Sequence, residues 1–371
     1  MKKKTNTLRT PTHHLFLILI ALLSGCNNSG KREANETVAE DYIKQIDSLI
    51  ETTDPRIFNG IVLITKGGET KYLKEQGYSD FANKVPISIH DRFRIMSNSK
   101  QVTAVLILKE VEKGKIDLQH PISNYLTDLD QTWADTVTVH QLLNMSSGIN
   151  DIEDKLLFQP GEGYHYSNPG YGLLGRIIQK VTGKSYKTNA NNLFKELGMG
   201  NTYCYELNGN NDKLINGYSL LNGEKEKVDI NSFGFYVEIW NDFLPAGGIV
   251  SNAYDLNKWD AMLHKGDILE EGSYQRMVNP TNSGPHAAFD DDTIGYGYGL
   301  RIHDKHTITH VGHGGRGFGF VSIKFYIPEK DVDVIIWENI YYRDNFPNTA
   351  DIIYHFENEI RKIVVNSVLV K

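Results

Sequence analysis

The stretch from Val102 to Val111 most restricts how this chain can fold. Val102, Ala104, Val105, Leu106, Ile107, Leu108 and Val111 leave almost no polar face, and a helix that is apolar nearly all round has to be buried. Gly114 supplies its C-terminal stop. Just ahead lie Ser97 and Lys100, three residues apart, so on a helix their side chains share a face and can meet. A serine at a helix start also has unpaired backbone N–H groups and the positive end of the helix dipole beside it. Such a place suits an alkoxide and an oxyanion. Alone, Ser-x-x-Lys is a weak pattern better read as an N-capping serine and a solvated lysine, so the chemical reading needs partners further along.

The leader is read separately. Lys2, Lys3, Lys4 and Arg9 precede an apolar run from Leu15 to Leu23, too short to span a bilayer and suited to a signal peptide. The run ends in Leu23-Ser24-Gly25-Cys26, which resembles a bacterial lipobox. This implies cleavage before Cys26, lipid attachment to its thiol, and a protein exported and membrane-anchored without a transmembrane helix. Residues 1–25 are thus expected to be the signal peptide and 26–36, polar and charged, a flexible tether. Loss of the leader takes four basic residues with it and moves the net charge from −7 to −11. A domain that acidic argues against nucleic acid as a partner. Cys204 is then the remaining thiol, read as a small buried hydrophobe, with no disulfide available.

Residues 37–371 are expected to form one domain. Val38, Tyr42, Ile43, Ile46, Leu49 and Ile50 keep helical spacing, and Gly60–Thr65 and Glu69–Gly77 read as a hairpin turning at Lys66-Gly67-Gly68. Helices and loops follow, including a helix over Tyr171–Val181 and a tight turn at Pro245-Ala246-Gly247-Gly248 before a helix over Ala253–His264. The stretch 266–295 is turn-rich. Strands return at Tyr298–His303, His306–Val311, Gly317–Tyr326 and Val332–Trp337, and a helix carrying Ile352, Ile353, Phe356, Ile360 and Ile363 closes the chain. The expected fold is α+β: an antiparallel sheet flanked by the terminal helices, with a mostly helical lobe (about 97–295) inserted. A ligand is expected at the seam of sheet and lobe.

Two further patterns supply the partners. Tyr164-His165-Tyr166-Ser167-Asn168 holds Tyr-x-Asn in a loop, and His310-Val311-Gly312-His313-Gly314-Gly315-Arg316-Gly317 lies between two strands, with glycines that let a substrate approach the backbone. Ser97-x-x-Lys100, Tyr166-x-Asn168 and His313-Gly314-Gly315, in that order, resemble the three motifs of serine β-lactamase-like hydrolases: penicillin-binding DD-peptidases, class C β-lactamases, and related esterases and D-amino-acid peptidases. Phe93-Arg94-Ile95-Met96-Ser97, Leu142-Leu143-Asn144-Met145-Ser146-Ser147-Gly148, Pro160-Gly161 and Ala246-Gly247-Gly248 agree with it. The resemblance covers about Phe58 to Arg361.

It implies that Ser97 forms an acyl-enzyme, that Lys100 and Tyr166 share the proton work, and that Asn168 orients the substrate. The Ser97 N–H and the Arg316 N–H after Gly315 would form the oxyanion hole. Which of Lys100 and Tyr166 accepts the serine proton stays open. His313, taken as catalytic, replaces the lysine common in the third motif, and Gly314 removes the adjacent hydroxyl. That departure disfavours efficient β-lactam turnover and carboxypeptidase action, although Arg316 could grip a carboxylate bidentately. Tyr236 and Trp240, among the aromatics of Asn231–Leu244, are the expected further substrate contacts.

The expected activity is hydrolysis of small amides or esters, of esterase or D-amino-acid peptidase type. The alternatives are a DD-carboxypeptidase or β-lactamase, or a penicillin- or peptidoglycan-binding lipoprotein with little turnover. No cofactor or metal is called for: there is no His-Glu-x-x-His, and on a strand His310 and His313 point to opposite faces. No Gly-x-Ser-x-Gly elbow appears, and Gly315-Arg316-Gly317-Phe318-Gly319 leads into a strand, not a helix.

Overall fold

Alternation along the strands decides where the layers lie. The computed structural model describes residues 41–209, 211, 213–286, 293–304, 308–342 and 352–371. In β1 (Gly60–Lys66), Ile61 and Leu63 face one core while Val62 and Ile64 face the other. The period of two buries the strand on both sides. The eight-stranded sheet adds β2 (Glu69–Gln76), β3 (Asn282–Pro285), β4 (Thr293–Tyr296), β5 (Arg301–His303), β6 (His310–Gly317), β7 (Phe320–Ile327) and β8 (Val332–Glu338), in the order β3-β4-β5-β6-β7-β8-β1-β2. Every neighbouring pair is antiparallel. The early hairpin therefore joins the late strands through β1 and β8, as the element order suggested.

Two helices cover one face. In α1 (Asp41–Ile50), Tyr42, Ile46 and Ile50 bury one stripe, and residues 1–40, with Cys26 and the tether, lie outside the described residues. The C-terminal helix, labelled α7 below, shares that core through Phe356, Ile360 and Val364. The other face carries the lobe, built on α2 (Ser99–Glu112), which the 3₁₀ turn Met96–Asn98 precedes. Two polar side chains of its first turns are buried too: Thr103 Oγ1 donates to the Pro245 carbonyl at 2.7 Å, and Gln101 Oε1 accepts the Trp259 indole N–H at 2.8 Å. Next come α3 (Asn168–Thr182), α4 (Val237–Gly247), α5 (Ala253–His264), α6 (Glu271–Val278) and, last, α7 (His355–Val365).

Four local expectations change. Pro245-Ala246-Gly247 is the last turn of α4, not a separate turn; Pro245 lacks the N–H for that turn's ladder, and its ring packs on Gly175 of α3, where a Cβ would lie 2.2 Å from Pro245 Cγ. His310–Gly317 is one unbroken strand, so the glycine stretch is extended sheet and the hairpin turns at Phe318-Gly319 instead. The turn-rich 266–295 stretch holds α6, β3 and β4, elements too short for periodicity to reveal. Asn168 opens α3 because Ser167 Oγ caps it, accepting the Gly170 N–H at 3.0 Å, with Pro169 in the first turn.

Candidate active site

The site lies where the start of α2, the start of α3 and the middle of β6 converge. Met96 has φ +49, a left-handed backbone angle that a non-glycine residue adopts only when its surroundings enforce it, and it turns the chain from the strand Phe93–Arg94 into Ser97. Asn98 locks this turn to the sheet: Nδ2 donates to Ser322 Oγ at 2.9 Å, and Ser322 Oγ donates to the Ile95 carbonyl at 2.9 Å. Gly315 is required at the contact, since a Cβ there would lie 2.5 Å from the Ile95 oxygen and 2.7 Å from Met96 Cβ.

Lys100 is fully buried. Its Nζ lies 3.4 Å from Ser97 Oγ, 2.7 Å from Asn168 Oδ1 and 2.8 Å from the Ala246 carbonyl. It also sits 4.7 Å from the Tyr166 ring centroid. Desolvation, aided by repulsion from Arg301, holds its pKa well below the ordinary lysine value. Burial acts in the opposite sense on Tyr166 and raises its pKa; Arg301 and a hydrogen bond with Ser97 offset this in part. The pair is thus biased toward a neutral amine and a neutral phenol.

These groups open onto a cavity of about 470 Å³, lined by Ser97, Tyr164, Tyr166, Asn168, Pro285, His286, Arg301, Gly314, Gly315, Arg316 and Tyr354. Ser97, Tyr166, Asn168, Gly314, Gly315 and Arg316 come together as the sequence suggested. Three expected residues do not join them. His313 sits behind the wall, buried, with Nδ1 donating to the Gly314 carbonyl at 2.6 Å and Nε2 3.1 Å from the Tyr296 hydroxyl. Burial and the nearby Arg301 charge keep it neutral. It therefore cannot supply the cation that the third-motif lysine supplies elsewhere. Trp240 is only 2% exposed, its indole N–H donating to the Tyr205 carbonyl at 3.1 Å, because α4 turns that face into the lobe. Tyr236 is 72% exposed and does not line the cavity.

Arg301, His286 and Tyr354 are cavity residues that the sequence reading missed. Arg301 is 3% exposed, and among the described residues no carboxylate pairs with it. Its guanidinium carbon lies 5.5 Å from the Tyr166 ring centroid and 5.4 Å from that of Tyr296, with Nη1 3.5 Å from the Tyr164 hydroxyl. A lone charge between Leu300 and Ile302 in a strand was the available signal. Arg316 is exposed at the rim and lies over Tyr354, 5.9 Å from its ring centroid. A larger hollow of about 840 Å³ lies at the far end of α2, lined by residues such as Val111, Gly114 and His140, and it has no contact with Ser97. Among the described residues no cluster of three metal-ligating side chains occurs, and no helix is long and apolar enough to cross a membrane.

With this geometry in place, the comparisons agree on a class. The chain matches the Beta-lactamase family over residues 44–355 and belongs to that family. It is a serine β-lactamase-fold hydrolase, and members of the fold family include amidases, esterases and DD-peptidases. It is 26% identical over 353 residues to Protein flp of Staphylococcus aureus (strain N315), covering 87% of this chain and 67% of that one. To Penicillin-binding protein 4* of Bacillus subtilis (strain 168) it is 27% identical over 338 residues, covering 76% and 69%. The crystal structure of D-amino acid amidase from Ochrobactrum anthropi SV3 superposes with a TM-score of 0.72 at 25% identity, covering 88% of this chain and 99% of the amidase.

Proposed function

We propose that this protein hydrolyses short peptide-like amides and esters that carry a carboxylate beside the scissile bond, through an acyl-Ser97 intermediate. The observation that carries the reading is Arg301: a buried guanidinium without a carboxylate partner among the described residues, facing the same cavity as Ser97. A buried cation of this kind is costly until an anion joins it, and a substrate carboxylate fits it bidentately. The loss of the third-motif lysine and hydroxyl is thereby compensated from the neighbouring strand β5, with Arg316 at the rim as a second cation. Kinship with proteins named D-amino acid amidase and penicillin-binding protein supports D-configured peptides as the class.

The amine of Lys100 is the base in this reading. When neutral it has two N–H bonds, taken by Asn168 Oδ1 and the Ala246 carbonyl, and its lone pair is left for Ser97. Lys100 removes the Oγ proton as the Oγ–C bond forms. The oxyanion is held by the N–H groups of Ser97 and Arg316. As the C–N or C–O bond breaks, the proton passes by way of the Tyr166 hydroxyl to the leaving group, and water reverses the steps to release the acid. A pure peptidoglycan binder would have no use for so activated a serine. Export and lipid attachment at Cys26 complete the proposal, supported by the Leu23–Cys26 pattern; labelled palmitate incorporated by the wild-type chain and lost in Cys26→Ala is the check.

The deciding experiment compares kcat/KM for a short D-Ala-D-Ala peptide ending in a free carboxylate with that for its C-terminal amide. A preference of about tenfold or more for the acid supports the reading; equal rates, or preference for the amide, overturn it.

A further inference from the structure

A third cavity, of about 370 Å³, shares no lining residue with the catalytic one. Its walls include Arg94, Tyr205, Asn216, Phe318 and Phe320, with Lys227 and Asp229 exposed at the mouth. Arg94 is 7% exposed, and no carboxylate among the described residues forms an ion pair with it. Its neighbours are aromatic: the guanidinium carbon lies 3.6 Å from the Tyr205 ring centroid and 6.0 Å from that of Trp240. The Asp229 carboxylate is already engaged, with Oδ1 accepting the Asn231 N–H at 2.9 Å. A guanidinium keeps its charge in any protein environment, and a buried one without a counter-ion is costly.

We infer that this cavity is a binding site for a small organic anion with a flat apolar body, its carboxylate on Arg94 and its ring between Tyr205, Phe318 and Phe320. Aromatic walls beside one buried guanidinium suit an aryl or short-chain carboxylate better than a hydrated inorganic ion. The site is placed to affect catalysis from outside the reaction centre. Arg94 is three residues before Ser97 and pairs with Val250, while Phe318 forms the hairpin tip two residues beyond Arg316. Occupancy would brace both proposed oxyanion N–H donors. The inference stands without the proposed hydrolase reaction, because binding can be measured in the absence of turnover.

The test is calorimetric titration of the full chain with benzoate, repeated on Arg94→Gln, Lys227→Glu and Arg301→Gln. We expect saturable binding that Arg94→Gln and Lys227→Glu each weaken by about tenfold or more and that Arg301→Gln leaves in place. Lys227 is exposed, so Lys227→Glu decides the matter even if Arg94→Gln fails to fold. No binding to the wild type up to about 50 mM, weaker than any affinity worth assigning, overturns the inference. So does affinity that follows Arg301 and ignores both Arg94 and Lys227.

Discussion

Lys100 Nζ stands 3.4 Å from Ser97 Oγ, while its other two hydrogen-bonding contacts are the acceptors Asn168 Oδ1 and the Ala246 carbonyl. That arrangement distinguishes a base from a capping lysine. Acceptors consume N–H bonds, burial suppresses the charge, and what remains is a lone pair beside the nucleophile. Lys100→Met keeps the stem and removes the amine, and it is expected to lower kcat by about 10³-fold or more with little change in KM. Steady-state kinetics on any turned-over ester check it.

The acid limb of the pH profile follows from the same residue. The Lys100 pKa is lowered by burial and then by Arg301, so kcat/KM falls as pH drops through that lowered value and the amine protonates. Arg301→Gln removes the repulsion and lets the pKa rise. The acid limb should therefore move to higher pH, measured with a substrate that lacks a carboxylate so that binding is not confounded. The raised Tyr166 pKa predicts no loss from ionisation of its phenol below the ordinary tyrosine range.

Arg301→Gln should also raise KM for carboxylate-bearing substrates by about 10- to 100-fold, the worth of a charge-assisted pair, and leave KM for neutral esters nearly unchanged. A parallel series with Arg316→Gln, an exposed position, should show a smaller effect.

Gly315→Ala tests the fit between β6 and the nucleophile turn. The new Cβ would meet backbone at Ile95 and the side chains of Met96 and Ser322, none of them a flexible end that can swing clear. A displacement near 1 Å of the strand carrying Arg316 is enough to cost about 10²-fold in kcat. Circular dichroism on the same sample separates this from unfolding.

Stability rests in part on a buried charge cluster whose residues do not line the catalytic cavity. Lys324 on β7 forms an ion pair with Asp260 on α5, and the second acid, Asp333, is buried beside them and hydrogen-bonded by Asn257. Lys324→Met leaves two buried carboxyl groups without their cation. It should lower unfolding stability by about 3–5 kcal/mol, read as a fall in the urea midpoint at constant slope.

How much of this could be read in the sequence depends on the range of the interaction. Ser97, Lys100, Tyr166 and Asn168 announce themselves because each pair is a local pattern, and the apolar run behind Ser97 explains its rigid mounting. The sheet followed from the apolar runs of β1, β7 and β8 and the short, hairpin-like links between strands. Arg301 was missed because its meaning is tertiary: the lone charge between Leu300 and Ile302 marks the position, but only the fold brings it to Tyr166. Trp240 was misplaced for the mirror reason. An aromatic in a loop-like stretch suggests a ligand contact, yet the helix formed by Val237–Gly247 rotates it into packing against Tyr205. His313 sits where its motif put it, but only the structure shows that both its nitrogens are engaged, one by its own strand and one by Tyr296.

The central claim is that Ser97 is a nucleophile activated by a neutral Lys100. Intact-mass spectrometry after incubation with a fluorophosphonate tests it most directly, with wild type, Ser97→Ala and Lys100→Met side by side. The account predicts one adduct on the wild type, mapped to Ser97, none on Ser97→Ala, and labelling of Lys100→Met slowed by about 10²-fold or more. A wild type that takes up no label, or a Lys100→Met protein that labels as fast as wild type, would contradict it.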